Sequence, residues 1–315
     1  MKVSVVLPVY NVERHLPGCL DSIARQTFRD FEVIAVDDGS TDDSGRLLDE
    51  YEASFPLRRV HQGNQGVSAT RNAALDLATG DYVLMVDSDD CIHPRLLELT
   101  VGAAEALEAD WVAFDYVRAR LPEVHETLAV WANDRAEPLP REIPTPGFDW
   151  FVGTCRKPTP WQMLYRRSTL AGHRFRTGIV YEDVPFLLTY LARPHRGLYL
   201  RKQLYCYVAN EVSITRGSAL HRRIAGYETG MRMLKEALDP RRYRLFVRNE
   251  CAVCVRDLHR RLRTMPPDAD RSAAARAFDA FVRRILREEL AQWSDFSLIW
   301  RLRLLPHVWA DWRCA

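Results

Sequence analysis

Two apolar runs in the N-terminal half end in acidic turns, at Asp37-Asp38 and at residues 87–90 (Asp-Ser-Asp-Asp). Carboxylates this close repel one another unless a cation or a hydrogen-bonding ligand offsets their charge. Mg²⁺ and Mn²⁺ prefer hard oxygen ligands and take one or two carboxylates with phosphate oxygens and water. The spacing of Asp87 and Asp89 would let two carboxylates approach one metal ion. Turn and N-cap chemistry accounts for one such aspartate, but less well for the whole turn.

Strand-like runs precede these turns and alternate with helix-like segments. Continuous β-rich apolar runs predict strands at Val3–Val9, Phe31–Val36, Tyr82–Val86 and Trp111–Phe114, and a short strand is predicted at Arg59–His61. Apolar residues at helical spacing predict helices between them, including Val67–Ala78 and Leu96–Leu107. This alternation indicates an α/β fold with a mostly parallel sheet and flanking helices. Ligands of such sheets bind at the carboxyl ends of the strands, where both acidic turns fall.

Composition and charge set wider bounds. The 315 residues are 47% hydrophobic and 27% charged, which allows a sizeable core and argues against wholesale disorder. The net charge of +2 is unevenly divided, because residues 241–315 sum to +7 and residues 1–240 to −5. An acidic front half with a basic tail fits a metal-using site followed by a segment attracted to anionic surfaces. A helical tail with a solvated, arginine-rich face fits equally well.

The expected location is cytoplasmic. The chain shows no secretory signal and no run of about 18 apolar residues that could span a membrane. Its seven scattered cysteines are interpreted as reduced thiols. Aromatic and apolar residues mixed with arginines between positions 296 and 312 could form an interfacial helix, giving peripheral contact with the inner face of the membrane. Core or dimer packing explains the same residues, and the oligomeric state stays open.

An ordered series of motifs covers the first 95 or so residues almost without gaps. In chain order it reads VVLPVYN at 5–11, LDSI at 20–23, QTF at 26–28, DDGSTD at 37–42, NQGVSATRN at 64–72, GDY at 80–82 and DSDD at 87–90. This series resembles the family 2 glycosyltransferases, which have the Rossmann-like GT-A fold. The resemblance implies an inverting enzyme that depends on a nucleotide sugar.

The resemblance also implies which residues bind the nucleoside. Pro8, Val9 and Tyr10 would line the base and ribose of the donor. Asp38, or its neighbour Asp37, would accept hydrogen bonds from the base. A carboxylate there suits the ring N–H of uracil, so a UDP-linked donor is expected.

The diphosphate and its metal are assigned in the same way. Arg71 would lie near the diphosphate, where a cationic fork is chemically apt, although a surface helix arginine is the alternative. Asp87 would contact the ribose or a metal-bound water, and Ser88 belongs to the same donor-binding turn. Asp89 would coordinate Mn²⁺ or Mg²⁺ bridging both phosphates. Such a metal neutralises charge on the leaving nucleoside diphosphate.

The catalytic base is expected in the second half of the chain. Transfer with inversion needs a carboxylate that takes the proton of the acceptor hydroxyl. The pair Glu182-Asp183 follows the segment WQMLYRRS at 161–168, an order that again resembles the family, in which the aspartate is the usual base. Asp183 is therefore the candidate, and Glu182 would orient the acceptor or support a loop. An acidic pair is also a common helix start, stabilised by the helix dipole.

The predicted organisation is a GT-A catalytic domain over 1–220, with a nucleotide-sugar half at 1–115 and an acceptor half at 116–220, followed by a helical C-terminal extension over 221–315. The expected partners are a nucleotide-sugar donor and a saccharide or lipid-linked acceptor in polysaccharide, glycolipid or cell-wall polymer assembly. Nucleic acid is not expected, because no recognised motif accompanies the basic tail.

Two alternatives differ in what they require. A nucleotidyltransferase on a similar scaffold is disfavoured, because no Gly-rich, Lys- or Arg-bearing triphosphate loop occurs near the N-terminus. A non-catalytic glycosyltransferase-like binding module predicts the loss of at least one essential carboxylate. Asp38, Asp87, Asp89 and Asp183 are all present.

Overall fold

Two compact units make up the chain. The computed structural model describes residues 1–132, 143–145, 147–153, 159–209, 220–267 and 269–285. The sheet unit comprises residues 1–147, 158–178 and 182–213, and the helical unit comprises residues 148–157, 179–181 and 214–315. The C-terminal stretch 296–312 considered above for membrane contact lies outside the described residues, and the domain boundary at 220 stays a prediction.

Parallel strands form the N-terminal part of the sheet, as the sequence predicts. They are β1 (Val3–Val9), β2 (Phe31–Asp37), β3 (Leu57–His61) and β4 (Tyr82–Met85), arranged in the order β3-β2-β1-β4. All seven residues of β1 are buried, and β1 pairs in parallel with β2 on one edge and with β4 on the other. This central place explains why the first strand reads as an uninterrupted apolar run.

Antiparallel pairs extend the sheet beyond β4. Strand β8 (Met163–Arg166) lies between β4 and β6 (Trp111–Ala119) and is antiparallel to both. Strand β9 (Gly197–Val208) pairs in parallel with β6, while the short strands β5 (Cys91–Ile92) and β7 (Ile143–Thr145) pair with β9 in antiparallel fashion. The predicted α/β fold with flanking helices is confirmed, whereas strands β5, β7, β8 and β9 were not predicted from the local pattern.

Helices of the sheet unit cover this sheet. They are α1 (Leu16–Ala24), α2 (Ser44–Glu50), α3 (Val67–Leu77), α4 (Leu96–Ala106), α5 (Val124–Ala132) and α7 (Asp183–Leu191). The apolar stripe of α1 shows how they pack: Leu16, Cys19 and Ile23 are fully buried in the same core cluster as the alternate side chains of β1. Burying a side chain of this size contributes about 1.5–3 kcal/mol.

The helical unit follows the predicted helical pattern. It contains α6 (Phe148–Gly153), α8 (Leu220–Ala237), α9 (Pro240–Phe246), α10 (Ala252–Thr264) and α11 (Ala269–Arg284). The start of α9 is fixed by Asp239, whose carboxylate accepts hydrogen bonds from the backbone N–H groups of Arg241 and Arg242. Among the described residues, none of these helices is both long and apolar enough to cross a membrane.

Candidate active site

The predicted donor residues collect at the carboxyl ends of β1, β2 and β4. The N–H of Asp38 donates to the carbonyl of Val9 at 2.9 Å, and the N–H of Val86 donates to that of Val6 at 3.0 Å, so both acidic turns begin beside β1. Strand β4 pairs with β1 only as far as Val6. The carbonyl of Pro8 accepts a hydrogen bond from the hydroxyl of the buried Ser88 at 2.6 Å instead. Two stretches of the predicted donor site are thus joined directly.

The two carboxylates after β2 have different surroundings. Asp37 accepts hydrogen bonds from the N–H and hydroxyl of Ser40 and lies 3.1 Å from a ring nitrogen of His61. Contact with Asp37 raises the pKa of His61. Asp38, only 2% exposed, accepts from the Gln62 amide at 2.7 Å, and its two oxygens also accept from the N–H groups of the Gln65-Gly66 loop. Both side chains therefore brace the loops of this site.

Tyr10 is half-buried at the end of β1, beyond the buried residues Pro8 and Val9. The following Asn11 has a positive φ of 51°, a conformation that asparagine tolerates better than most residues. Its side-chain oxygen accepts from the N–H of Thr41 at 2.8 Å. The loop after β1 is thereby attached to the loop after β2.

The turn at 87–90 contains both half-exposed and buried carboxylates. Asp87 and Asp89 are half-exposed, whereas Asp90 is only 1% exposed. Asp90 accepts hydrogen bonds from the hydroxyl of Tyr205 at 2.8 Å and from the N–H of Val208 at 2.7 Å. Burial, and then the charges of Asp89 and Asp87, raise the pKa of Asp90 well above its usual range. Asp90 thus attaches the turn to β9.

Tyr205 is a site residue that the sequence analysis missed. Its hydroxyl also accepts a hydrogen bond from the N–H of Asp87 at 3.1 Å, and its ring stacks on Trp161 with centroids 4.2 Å apart. The edge of the Tyr116 ring meets Trp161 at 5.1 Å. Nothing marked Tyr205 among the twelve tyrosines, because its partners lie more than 100 residues away in the sequence.

Arg71 is the centre of the site. Its guanidinium donates to Asp87 at 2.8 Å, to Asp183 at 2.8 Å and to Glu182 at 3.0 Å, and its side chain is only 5% exposed. It also lies over the ring of Phe175, 5.1 Å from the centroid. The coulombic field of these carboxylates outweighs burial and raises the pKa of Arg71. The predicted diphosphate contact stays a prediction, while the observed contacts connect the donor turn to the Glu182-Asp183 pair.

Asp183 is the first residue of α7, and Glu182 is its N-cap residue. The Asp183 side chain is 26% exposed, whereas that of Glu182 is 12% exposed. Burial, followed by the nearby charges of Glu182 and Asp87, raises the pKa of Asp183 well above its usual range, and the Arg71 guanidinium opposes this rise. A raised pKa and partial exposure are two properties that a general base requires, so the prediction for Asp183 is compatible with its surroundings.

A buried histidine supports the helix that carries Asp183. His173 has its Nε2 2.8 Å from the carbonyl oxygen of Phe186 in α7 and its Nδ1 3.1 Å from the guanidinium of Arg193. Because the arginine donates to Nδ1, Nε2 carries the proton and the ring is neutral. Burial is the main cause that lowers the pKa of His173 to about 4.

This histidine predicts a pH dependence of stability. Since the unfolded pKa is about 6.5, the unfolded chain takes up the proton first as the pH falls. The stability that neutral His173 contributes is complete above pH 6.5 and is lost between pH 6.5 and about 4, by at most about 3 kcal/mol. Urea unfolding should show that the advantage of the wild type over His173→Gln shrinks across this window. The exposed His221→Gln is the control, and an advantage that stays constant with pH would contradict the prediction.

The donor set of the acidic turn fits a divalent cation. Among the described residues, no three acidic, histidine or cysteine side chains form a metal site of their own. Mg²⁺ and Mn²⁺ need only one or two carboxylates when phosphate oxygens and water complete the shell. The half-exposed Asp87 and Asp89 offer such oxygens, whereas Asp90 is committed to Tyr205 and Val208. A cation at this turn would offset the negative charges of Asp87, Asp89 and Asp90, which lie within four consecutive residues.

Comparison with known proteins identifies the family. The sequence model described as glycosyl transferase family 2 matches residues 4–171, more than half of the chain. The chain belongs to glycosyl transferase family 2. Within this family it is 30% identical over 236 residues to the uncharacterized glycosyltransferase YibD of Escherichia coli (strain K12), a match that covers 70% of this chain and 64% of YibD. The chain thus spans a little less than two thirds of that relative's length.

Solved structures share the fold of this family 2 chain. TarS of S. aureus, residues 1–349 in complex with UDP-GlcNAc, superposes with a TM-score of 0.63 at 20% identity, covering 90% of this chain and 81% of that one. The mannosyltransferase PcManGT of Pyrobaculum calidifontis, in complex with GDP-Man and Mn²⁺, superposes with a TM-score of 0.56 at 16% identity, covering 98% and 87%. At these identities the likeness establishes the GT-A fold alone.

Proposed function

We propose that the sheet unit transfers a sugar from a nucleotide-sugar donor to an acceptor hydroxyl with inversion, and that Asp183 is the general base. The observation that carries the proposal is the contact of one buried guanidinium, that of Arg71, with both Asp87 of the donor turn and Asp183. A transferase needs its donor site and its base held at a fixed separation. Family membership and the fold shared with nucleotide-sugar complexes support the same reaction class.

The donor would lie at the carboxyl ends of β1, β2 and β4. Tyr10, Asp37 and Asp38 would contact the base and ribose of the donor. Asp87 would contact the ribose or a metal-bound water, with Ser88 in the same turn, and Asp89 would hold the metal at the diphosphate. When bound, Mn²⁺ or Mg²⁺ held by Asp89 and Asp87 neutralises negative charge on the diphosphate. Asp90 and Tyr205 hold the turn in place, so that its half-exposed carboxylates meet the donor without rearrangement.

Asp183 would act on the acceptor. Its carboxylate takes the proton of the acceptor hydroxyl while the hydroxyl oxygen forms a bond to C1 of the sugar. The bond between C1 and the diphosphate oxygen breaks, its electron pair leaves with the nucleoside diphosphate, and the configuration at C1 inverts. Arg71 donates to the Asp183 carboxylate at 2.8 Å, and this contact would orient the base toward the acceptor before the transfer.

The donor and acceptor are proposed by class. A UDP-linked sugar is favoured because a carboxylate after β2 suits the uracil ring N–H, and TarS of the same fold is solved with UDP-GlcNAc. The acceptor is proposed as a saccharide or lipid-linked hydroxyl in the assembly of a polysaccharide, glycolipid or cell-wall polymer. Both follow from family membership together with the site described above.

The test is donor binding and hydrolysis with a panel of UDP-, GDP- and CDP-linked sugars in Mn²⁺ or Mg²⁺. One donor should bind in a metal-dependent manner, and EDTA should abolish its binding. Asp89→Asn should weaken metal-dependent binding at least tenfold, since even outer-shell partners of bound metals contribute about 10–100-fold. Asp43→Asn, at a paired and exposed aspartate of another turn, is the matched control and should bind as the wild type does. Absence of binding by every donor with either metal would instead favour the non-catalytic module.

A further inference from the structure

The short segment just before Glu182 has a backbone conformation that its side chain disfavours. Tyr181 has φ of 68°, in the left-handed region that non-glycine residues rarely occupy, and Gly178 precedes it with φ of 77°. A bulky residue persists in this region only where surrounding contacts enforce it. The contacts that hold Tyr181 therefore have to be found in the unit to which residues 179–181 belong.

Helix α8 of the helical unit supplies these contacts. Arg223, 1% exposed, donates from its guanidinium to the Tyr181 hydroxyl at 3.1 Å. The ring of Tyr227 lies against that of Tyr181, with centroids 4.0 Å apart. Because positions four apart share one face of a helix, Arg223 and Tyr227 both contact the Tyr181 side chain.

A glycine on the same face brings the backbones into direct contact. A Cβ added to Gly226 would lie 2.3 Å from the carbonyl oxygen of Val180 and 3.0 Å from its nitrogen. Gly226 thus lets the Val180-Tyr181 backbone lie directly on α8, while Arg223 and Tyr227 fix the side chain that follows. Residues 223, 226 and 227 together form a cradle for this segment, which we name the Tyr181 cradle.

We propose that the Tyr181 cradle positions Asp183, and that Tyr181, Arg223 and Gly226 are positioning residues for the transfer reaction. This inference rests on the proposed function, in which Asp183 is the base. Glu182, the N-cap of α7, is bonded covalently to Tyr181, so the backbone at 180–181 sets where α7 begins and where its first residue lies. Arg71 contacts the Asp183 carboxylate, and the cradle contacts the two residues that precede Glu182.

Displacing Val180 should impair chemistry selectively. In Gly226→Ala the methyl group must move the Val180 carbonyl by about 1 Å to reach ordinary contact distance, and a misplacement of this size can lower a rate by about 100-fold. We expect kcat for donor turnover to fall about 10–100-fold. The Kd of UDP-GlcNAc with Mn²⁺, the probe, should stay within about twofold, because none of the proposed donor residues lies in α8 or is bonded to Val180 or Tyr181. If the protein binds a GDP-linked sugar in the donor panel, GDP-Man is used as the probe in place of UDP-GlcNAc.

The pH profile provides a readout that a general loss of stability would not change. Arg71 lowers the pKa of Asp183, whereas burial, Glu182 and Asp87 raise it. Withdrawal of Asp183 from Arg71 therefore raises its pKa further, and the acid limb of the kcat profile should move to higher pH in Gly226→Ala. The matched control is Gly153→Ala in the same unit, where no atom lies within 4 Å of the added Cβ. It should have the kinetics of the wild type.

Tyr181→Phe is a second variant that tests the Tyr181 cradle if Gly226→Ala does not fold. It retains the ring and removes only the hydroxyl that accepts from Arg223, so a smaller loss of kcat and the same shift of the acid limb are expected. Wild-type kcat and pH profiles in both variants, with Asp183→Asn inactive, would overturn the cradle and leave the proposed function intact. An active Asp183→Asn would instead contradict the proposed function, in which Asp183 is the base. Failure of the cradle proposal and failure of the proposed function thus give different results.

Discussion

Asp183→Asn should lower kcat by about 10²–10⁴-fold, the usual contribution of a positioned general base. The amide keeps the size of the side chain and can still accept from Arg71, but it cannot take a proton from the acceptor. Metal-dependent donor binding should be nearly unchanged, because the donor residues after β1, β2 and β4 are untouched. Steady-state kinetics with the donor identified by the panel, together with calorimetric binding of that donor, would separate the two effects.

The wild-type pH profile should agree with this assignment. Since the pKa of Asp183 is raised well above its usual range, the acid limb of kcat should lie at higher pH than an ordinary carboxyl group would give. The limb should disappear together with the activity in Asp183→Asn. Glu182→Gln, at the neighbouring carboxylate that also contacts Arg71, is the control for general electrostatic changes. If Glu182→Gln removed activity and Asp183→Asn retained it, the base would be assigned to the wrong member of the pair.

Arg71→Met is the substitution expected to damage stability most. It leaves the carboxylates of Asp87, Glu182 and Asp183 close together without the guanidinium that offsets their mutual repulsion. Removing one partner of a buried ion pair typically costs about 3–5 kcal/mol, because the remaining charge is buried without compensation. Denaturant unfolding should show a loss of this size. Activity should fall as well, since the base loses the contact that orients it.

Two further variants, Arg71→Lys and Arg174→Met, serve as comparisons for Arg71→Met. A lysine keeps the charge, but its compact ammonium lacks the planar fork that reaches carboxylates on two sides, so most of the loss should persist. Arg174→Met removes a comparable contact with Asp76 where both side chains are more than one third exposed, and it should cost less than about 1 kcal/mol. Equal unfolding midpoints for Arg71→Lys and the wild type would show that charge alone, rather than the fork, holds the site together.

Much of the fold could be predicted from the local sequence pattern, because buried parallel strands are recognisable as continuous apolar runs. β1, β2 and β4 are buried on both faces, so their sequences are continuous apolar runs, and the acidic turns mark where they end. Strands β5, β7, β8 and β9 were not predicted, and β8 shows why. Four residues inserted antiparallel between β4 and β6 have no periodicity of their own, and their place depends on partners about 50 to 80 residues away.

The site was predicted residue by residue, but its connections were not. Arg71 was placed near a diphosphate by resemblance, whereas its observed partners Glu182 and Asp183 lie 111 and 112 residues away. Such contacts leave no trace in spacing or composition. Asp90 illustrates the same limit, because its sequence neighbours Asp87 and Asp89 look equivalent to it. Only its burial and the hydrogen bond that it accepts from the Tyr205 hydroxyl show that this carboxylate supports the turn.

The anchoring of Asp38 constrains attempts to change which nucleotide this enzyme family member would accept. Its oxygens hold the Gln65-Gly66 loop, and that loop leads directly into α3, the helix that carries Arg71. A substitution at Asp38 intended to change the nucleotide preference would therefore also disturb the helix that carries Arg71, whose guanidinium contacts the proposed general base Asp183. We expect such a substitution to change turnover together with donor preference.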